Sequence, residues 1–63
     1  MKDIEYKSGA IRVEKKEFKG HKFIDVRRMY KDDNDELQYT RKGITIPLEI
    51  VDKIVKAIKE ANT

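Results

Sequence analysis

The sequence predicts an α+β fold: a four-stranded antiparallel β-meander followed by one C-terminal α-helix (ββββα). Three observations predict it. Segments with period-two alternation or with β-branched and aromatic enrichment fill residues 10–46, punctuated by Gly20, the acidic run 32–36 and Gly43. Pro47 then stands at the opening of a segment with helical apolar spacing, which reaches Ala61. The chain has 63 residues, enough for one domain at most.

The elements follow in order. Residues 1–9 carry no clear period and end in Ser8-Gly9, which predicts a short N-terminal arm, flexible or edge-adding, ahead of a domain at 10–63. From Ala10 to Phe18, Ile11 and Val13 alternate with Arg12 and Glu14, as in a half-exposed strand. Lys19-Gly20 makes a tight turn, with Gly20 free to take a positive φ. His21–Tyr30 is rich in strand formers, but neither parity is cleanly apolar: both faces have work to do, or a bulge shifts the phase. Asp32-Asp33-Asn34-Asp35 is a turn by composition. Glu36–Thr40 is a short third strand with Leu37 and Tyr39 on one side; Arg41-Lys42-Gly43 breaks it, and Ile44–Ile46 is the fourth. In the helix, Glu49 and Asp52 come early and Lys56 and Lys59 late, which suits its dipole. The helix is expected to cover one sheet face and to leave the other carrying exposed aromatics and bases.

The helix has more apolar surface than one sheet needs. Val51, Ile54, Val55 and Ile58 form one stripe, and Ile50, Ile54, Ala57 and Ala61 a neighbouring row. The simplest second partner is a symmetry mate. The sequence therefore predicts a homodimer with Ile50, Val51, Ile54, Val55, Ala57 and Ile58 at its interface. Size argues the same way. A chain this short buries only about 60% of its unfolded surface. With no cysteine to staple it or to bind metal as thiolate, oligomerisation is the remaining common route to stability.

Composition narrows the function. Charged residues make up 43% of the chain and the formal net charge is +3. Eight bases against three acids between Arg12 and Lys31 give +5, while Asp32–Thr40 holds four acids and no base. No apolar run approaches a membrane span and no signal peptide is visible, so a soluble intracellular protein is expected, without a membrane partner. Catalysis finds little support: His21 is the only histidine, Ser8 lies on the arm, and no glycine-rich phosphate loop is present. No catalytic residue, cofactor, metal or small-molecule substrate is assigned. Asp25, inside a strand among Phe23, Ile24 and Val26, reads as the partner of a neighbouring Arg or Lys. A calcium loop starting at Asp32 fails, because Leu37 stands where glycine is needed and Gly43 where the closing glutamate is needed.

The informative combination is aromatic plus basic. Phe18, Phe23, Tyr30 and Tyr39 punctuate strands that also hold Lys16, Lys19, Lys22, Arg27, Arg28, Arg41 and Lys42. Single-stranded nucleic acid needs this mixture: cations follow phosphates, and flat rings accept unpaired bases regardless of sequence.

Glu17-Phe18-Lys19-Gly20, then Phe23-Ile24-Asp25-Val26-Arg27, then Arg41-Lys42-Gly43-Ile44-Thr45 after an acidic turn, resembles the positive cofactor 4 family of transcriptional coactivators. The resemblance covers roughly residues 10–60 and rests on the order and spacing of three motifs, each weak alone. It implies a homodimer joined through the C-terminal helices, with two channels for single-stranded DNA running in opposite directions, as in melted duplex. It also implies DNA-binding roles for Phe18 (base stacking), Lys19 (phosphate), Lys16, Arg27, Tyr30, Arg41 and Lys42, with His21 and Lys22 beside them. Three departures stand out. His21 replaces what looks like a family lysine, making a fixed charge pH-dependent; Tyr30 replaces the usual tryptophan; Gln38 replaces a lysine. Weaker binding is expected, with the same function. The serine-rich tail of eukaryotic relatives has no counterpart in residues 1–9. Regulation by tail phosphorylation is therefore not expected, and a prokaryotic or phage source is.

The expected function is thus a dimeric, largely sequence-independent single-stranded-DNA-binding protein acting in transcription, replication or repair, with that machinery as a further partner. Two alternatives stay open: a module that docks an acidic protein on its basic face, and an RNA-binding protein, since nothing in the sequence reports on the 2′-hydroxyl.

Overall fold

The computed structural model describes residues 1–63. Four strands, β1 (Lys2–Tyr6), β2 (Gly9–Phe18), β3 (His21–Lys31) and β4 (Leu37–Pro47), form one antiparallel sheet in sequential order. A 3₁₀ turn (Leu48–Ile50) leads into α1 (Val51–Ala61). The ββββα order is as the sequence predicts, but the strands divide the chain differently. The N-terminal arm supplies the edge strand β1. The expected third and fourth strands are one continuous strand, β4, and Arg41-Lys42-Gly43 does not break it.

The reason lies in the β3–β4 register. Arg27 pairs with Gly43 and Met29 with Tyr39, so β4 carries two more residues than β3 across this step. The excess is taken up as a bulge. Long-range bonds hold it in place: Arg27 Nη1 donates to the Thr40 carbonyl at 2.8 Å, and the Thr40 hydroxyl donates to the Arg28 carbonyl at 2.6 Å. An excess of two preserves side-chain parity, so pairing resumes with each residue on its proper face.

The β2–β3 hairpin fixes the rest. Its two-residue loop has Lys19 at φ 51° and Gly20 at φ 80°, the left-handed pair whose twist suits a tight hairpin. Phe18 therefore pairs with His21, Lys16 with Phe23, Glu14 with Asp25 and Arg12 with Arg27. These residues share one face with Met29, Tyr39, Thr45 and, from β1, Asp3. The opposite face holds Ile4, Ile11, Val13, Ile24, Val26, Tyr30, Ile44 and Ile46. The sheet thus has a polar face and an apolar one. β2 lies close against β3 at Gly9, where any Cβ would run into the Met29 carbonyl oxygen.

The helix does not cover the sheet. It joins the sheet mainly through the 3₁₀ turn, which rests on β3, and none of its residues is buried. Val51 and Ile54 are half-buried, while Ile50, Val55, Ala57 and Ile58 are exposed. This corrects the expectation of a helix packed behind its own sheet. The chain is correspondingly open. Its radius of gyration is 13.3 Å, against about 11 Å for a compact chain of this length. Its accessible surface is 5478 Å², against about 4,200 Å² for a closed monomer of its mass. Only Gly9, Ala10, Asp25, Met29 and Ile46 are buried.

Candidate nucleic-acid interface

The polar face is organised around a buried carboxylate. Asp25 is 1% exposed and accepts two hydrogen bonds from Arg27, at 3.0 Å from Nε and 2.9 Å from Nη2. Lys16 Nζ lies 3.7 Å from the same carboxylate and 4.0 Å from Glu14, which faces Asp25 across the strand pair. Two acids directly opposite each other would repel; Lys16 and Arg27 offset them. The Arg27 hydrogen bonds hold the Asp25 carboxyl below its ordinary range despite its burial, and raise the Arg27 guanidinium in turn. The ion pair expected for Asp25 is therefore present, with both an arginine and a lysine.

A second clamp ties β1 to β2. Arg12 binds Asp3 in bidentate fashion, at 2.7 and 2.9 Å, and its Nη1 lies 3.4 Å from the Tyr39 hydroxyl. The Arg12 bonds lower the Asp3 carboxyl, and Asp3 raises Arg12. Tyr39 reaches from β4 across β3, so that Arg12 Cζ stands 5.5 Å and Lys16 Nζ 5.2 Å from its ring centroid. Phe18, at the hairpin end, is 64% exposed with Lys19 Nζ 5.4 Å from its ring.

The predicted site residues fall into three groups. Lys16, Phe18, His21 and Arg27 share the polar face. Lys19 lies in the adjoining turn, while Arg41 and Lys42 form the β4 bulge. Lys22 and Tyr30 have the opposite parity and project from the apolar face, so Phe18 and Tyr30 do not share one surface. The cations differ too. Lys16 and Arg27 have carboxylate partners, whereas Lys19, Lys22, Arg41 and Lys42 belong to no ion pair. An open groove of about 580 Å³ lies between the hairpin and the 3₁₀ turn, bounded by His21, Lys22, Phe23 and Glu49. At the far end of β3, Asp32 folds the acidic turn by accepting the backbone N–H groups of Asn34 and Glu36 and the Gln38 side chain. The Glu36 bond is the main cause of its lowered pKa.

Arg12 and Tyr39 were not assigned from sequence, because they lie two strands apart and meet only once the sheet is assembled. The two-residue hairpin loop was a signal for Arg12 alone, since it fixes which β2 and β3 residues share a face; the β4 register that brings Tyr39 to that face depends on the bulge.

Comparison with known proteins agrees with this fold. Residues 6–57 match the family model described as Transcriptional Coactivator p15 (PC4). The chain belongs to the PC4 family. Two crystal forms of a PC4 homolog from Burkholderia pseudomallei superpose with TM-scores of 0.91 and 0.90 at 24% and 23% identity. The orthorhombic match covers 98% of this chain and 85% of the homolog, and the tetragonal match 100% and 94%. No curated protein matches significantly. PC4 membership gives the chain a PC4-like nucleic-acid-binding role in a non-catalytic family of DNA-binding coactivators. No helix is long and apolar enough to cross a membrane.

Proposed function

We propose that this PC4-family chain is a homodimeric, largely sequence-independent single-stranded-DNA-binding protein of the coactivator type, acting in transcription, replication or repair. One observation carries the reading: the exposed rings of Phe18 and Tyr39 stand on one open sheet face that the helix leaves clear, with the unpaired cations Lys19, Arg41 and Lys42 in the turn and bulge that border it. Duplex recognition uses an element shaped for a groove. An open face with a free ring suits unpaired bases, and Phe18 is such a ring.

The surface that one chain leaves uncovered supports the dimer. Its surface exceeds that of a closed monomer by about 1,200 Å². Covering that excess on both protomers would bury about 2,400 Å², within the obligate homodimer range. The apolar stripe of α1 and the apolar sheet face are the surfaces to be covered, and the polar face stays free for DNA.

Phe18→Ala tests the binding mode. Loss of stacking should weaken binding of an oligothymidylate by about 1–3 kcal/mol, read by fluorescence anisotropy. Lys19, Arg41 and Lys42, which belong to no ion pair, together with Lys16 predict a log–log salt slope near −3 for the wild type, at about −0.7 per phosphate. An unchanged affinity for Phe18→Ala would reject stacking and favour a purely electrostatic docking surface.

A further inference from the structure

We infer that Tyr39 is a second base-stacking platform on the polar face, held in place by Arg12 and, through it, by Asp3 of the edge strand. The inference rests on the single-strand reading above and deepens it.

Tyr39 is 54% exposed although it is the residue that spans the strands. Its ring is held from its surroundings: the Arg12 side chain is only 13% exposed, lying against the ring and locked to Asp3, and Lys16 approaches the same ring. The ring is thus held by two cations, yet the residue stays more than half open to solvent. A ring that is already ordered loses little freedom when a base stacks on it, which favours binding.

Its place along the sheet fits a strand-length ligand. Arg12 and Phe18 lie on one face of β2, six residues or about 20 Å apart. Lys16 stands between them and Tyr39 leans in between Lys16 and Arg12. Rings and cations therefore follow one another along β2 as Phe18, Lys16, Tyr39, Arg12, with Glu14 between the two cations and within 4.0 Å of Lys16. A single strand lying along this row would meet a ring for a base, then a cation for a phosphate, then a second ring. The roles of the two cations differ. Lys16 is 34% exposed and can reach a phosphate, whereas Arg12 has three of its five N–H donors committed to Asp3 and Tyr39 and serves to position the ring.

The test uses the full chain and a fluorescein-labelled oligothymidylate, with Phe18→Ala as the reference. Tyr39→Leu should lower affinity about 5- to 150-fold, and Tyr39→Phe should stay within about twofold of wild type. Arg12→Ala should weaken binding without changing the salt slope, while Lys16→Ala should make the slope shallower by about 0.7. The chain has no tryptophan, so Tyr39→Trp adds a single probe whose fluorescence should be quenched on binding. If Phe18→Ala loses affinity and Tyr39→Leu does not, the inference fails and the proposed function stands. If neither variant loses affinity, the proposed function itself fails. A Tyr39→Phe defect equal to that of Tyr39→Leu would also overturn the inference, because the hydroxyl rather than the ring would be responsible. Circular dichroism of each variant confirms that the comparison is between folded proteins.

Discussion

Ile58→Glu is the sharpest perturbation of the proposed dimer. Ile58 is 62% exposed in the single chain, on a helix with no buried residue, so the substitution removes almost nothing from the fold of one protomer. In the dimer the same position lies on the stripe to be covered. Burying an isoleucine is worth about 1.5–3 kcal/mol, and two-fold symmetry counts it twice, so the dimer should lose about 3–6 kcal/mol before any charge penalty. That weakens dimerisation from roughly a hundredfold to ten-thousandfold. Sedimentation equilibrium reads the effect directly: the wild type should run at twice the 7.5 kDa chain mass and the variant should shift toward one chain. Thermal unfolding of the wild type should also depend on protein concentration, as it does when folding and association are linked. A wild type that sediments as a single chain at micromolar concentration, with a concentration-independent melt, would refute the reasoning from uncovered surface.

Other predictions follow from particular contacts. Asp25→Asn should destabilise the protein by about 2–3 kcal/mol in urea titrations, because it takes the charge from two Arg27 hydrogen bonds and from the Lys16 ion pair. Asp3, Asp25 and Asp32 all have lowered carboxyl pKa values. Their contribution is complete above the ordinary value of about 3.9 and is lost as pH falls from there, so wild-type stability should drop on acidification below about pH 4, with a shallower drop in Asp25→Asn. Gly9→Ala should cost about 2 kcal/mol or more, since the new methyl meets the β3 backbone rather than a movable side chain; hydrogen exchange should show faster opening of β1 and β2. Replacing Arg41 and Lys42 together by alanine should make the salt slope shallower by about 1.4 while leaving the melting curve near wild type, because neither belongs to an ion pair.

The elements set by local chemistry were legible in the sequence. Alternation at Ile11–Glu14, the Lys19-Gly20 turn, the acidic turn built on Asp32 and the apolar spacing of α1 all depend on near neighbours. What was not legible depends on distant ones. Arg41-Lys42-Gly43 looks like a strand break by composition, yet Arg27 and Thr40 hold it in the sheet as a bulge. Lys2–Tyr6 has too few residues to show a period, and its place as an edge strand is secured by the Asp3–Arg12 pair. The helix stripe correctly signalled surplus apolar surface, but its spacing does not encode whether α1 folds back on its own sheet, and it does not. The candidate site residues show the same division. Phe18 and Lys19 are identifiable beside their turn, whereas the separation of Phe18 from Tyr30 onto opposite faces follows from the hairpin register, and the Arg12–Tyr39 contact from strands two apart.

The most direct measurement compares the affinity of the wild-type protein for one oligonucleotide, single-stranded and annealed to its complement, at the same salt concentration. Rings that take unpaired bases predict markedly tighter binding to the single strand. Equal affinity for both forms would mean that the cations alone hold the nucleic acid and that the exposed rings play no part.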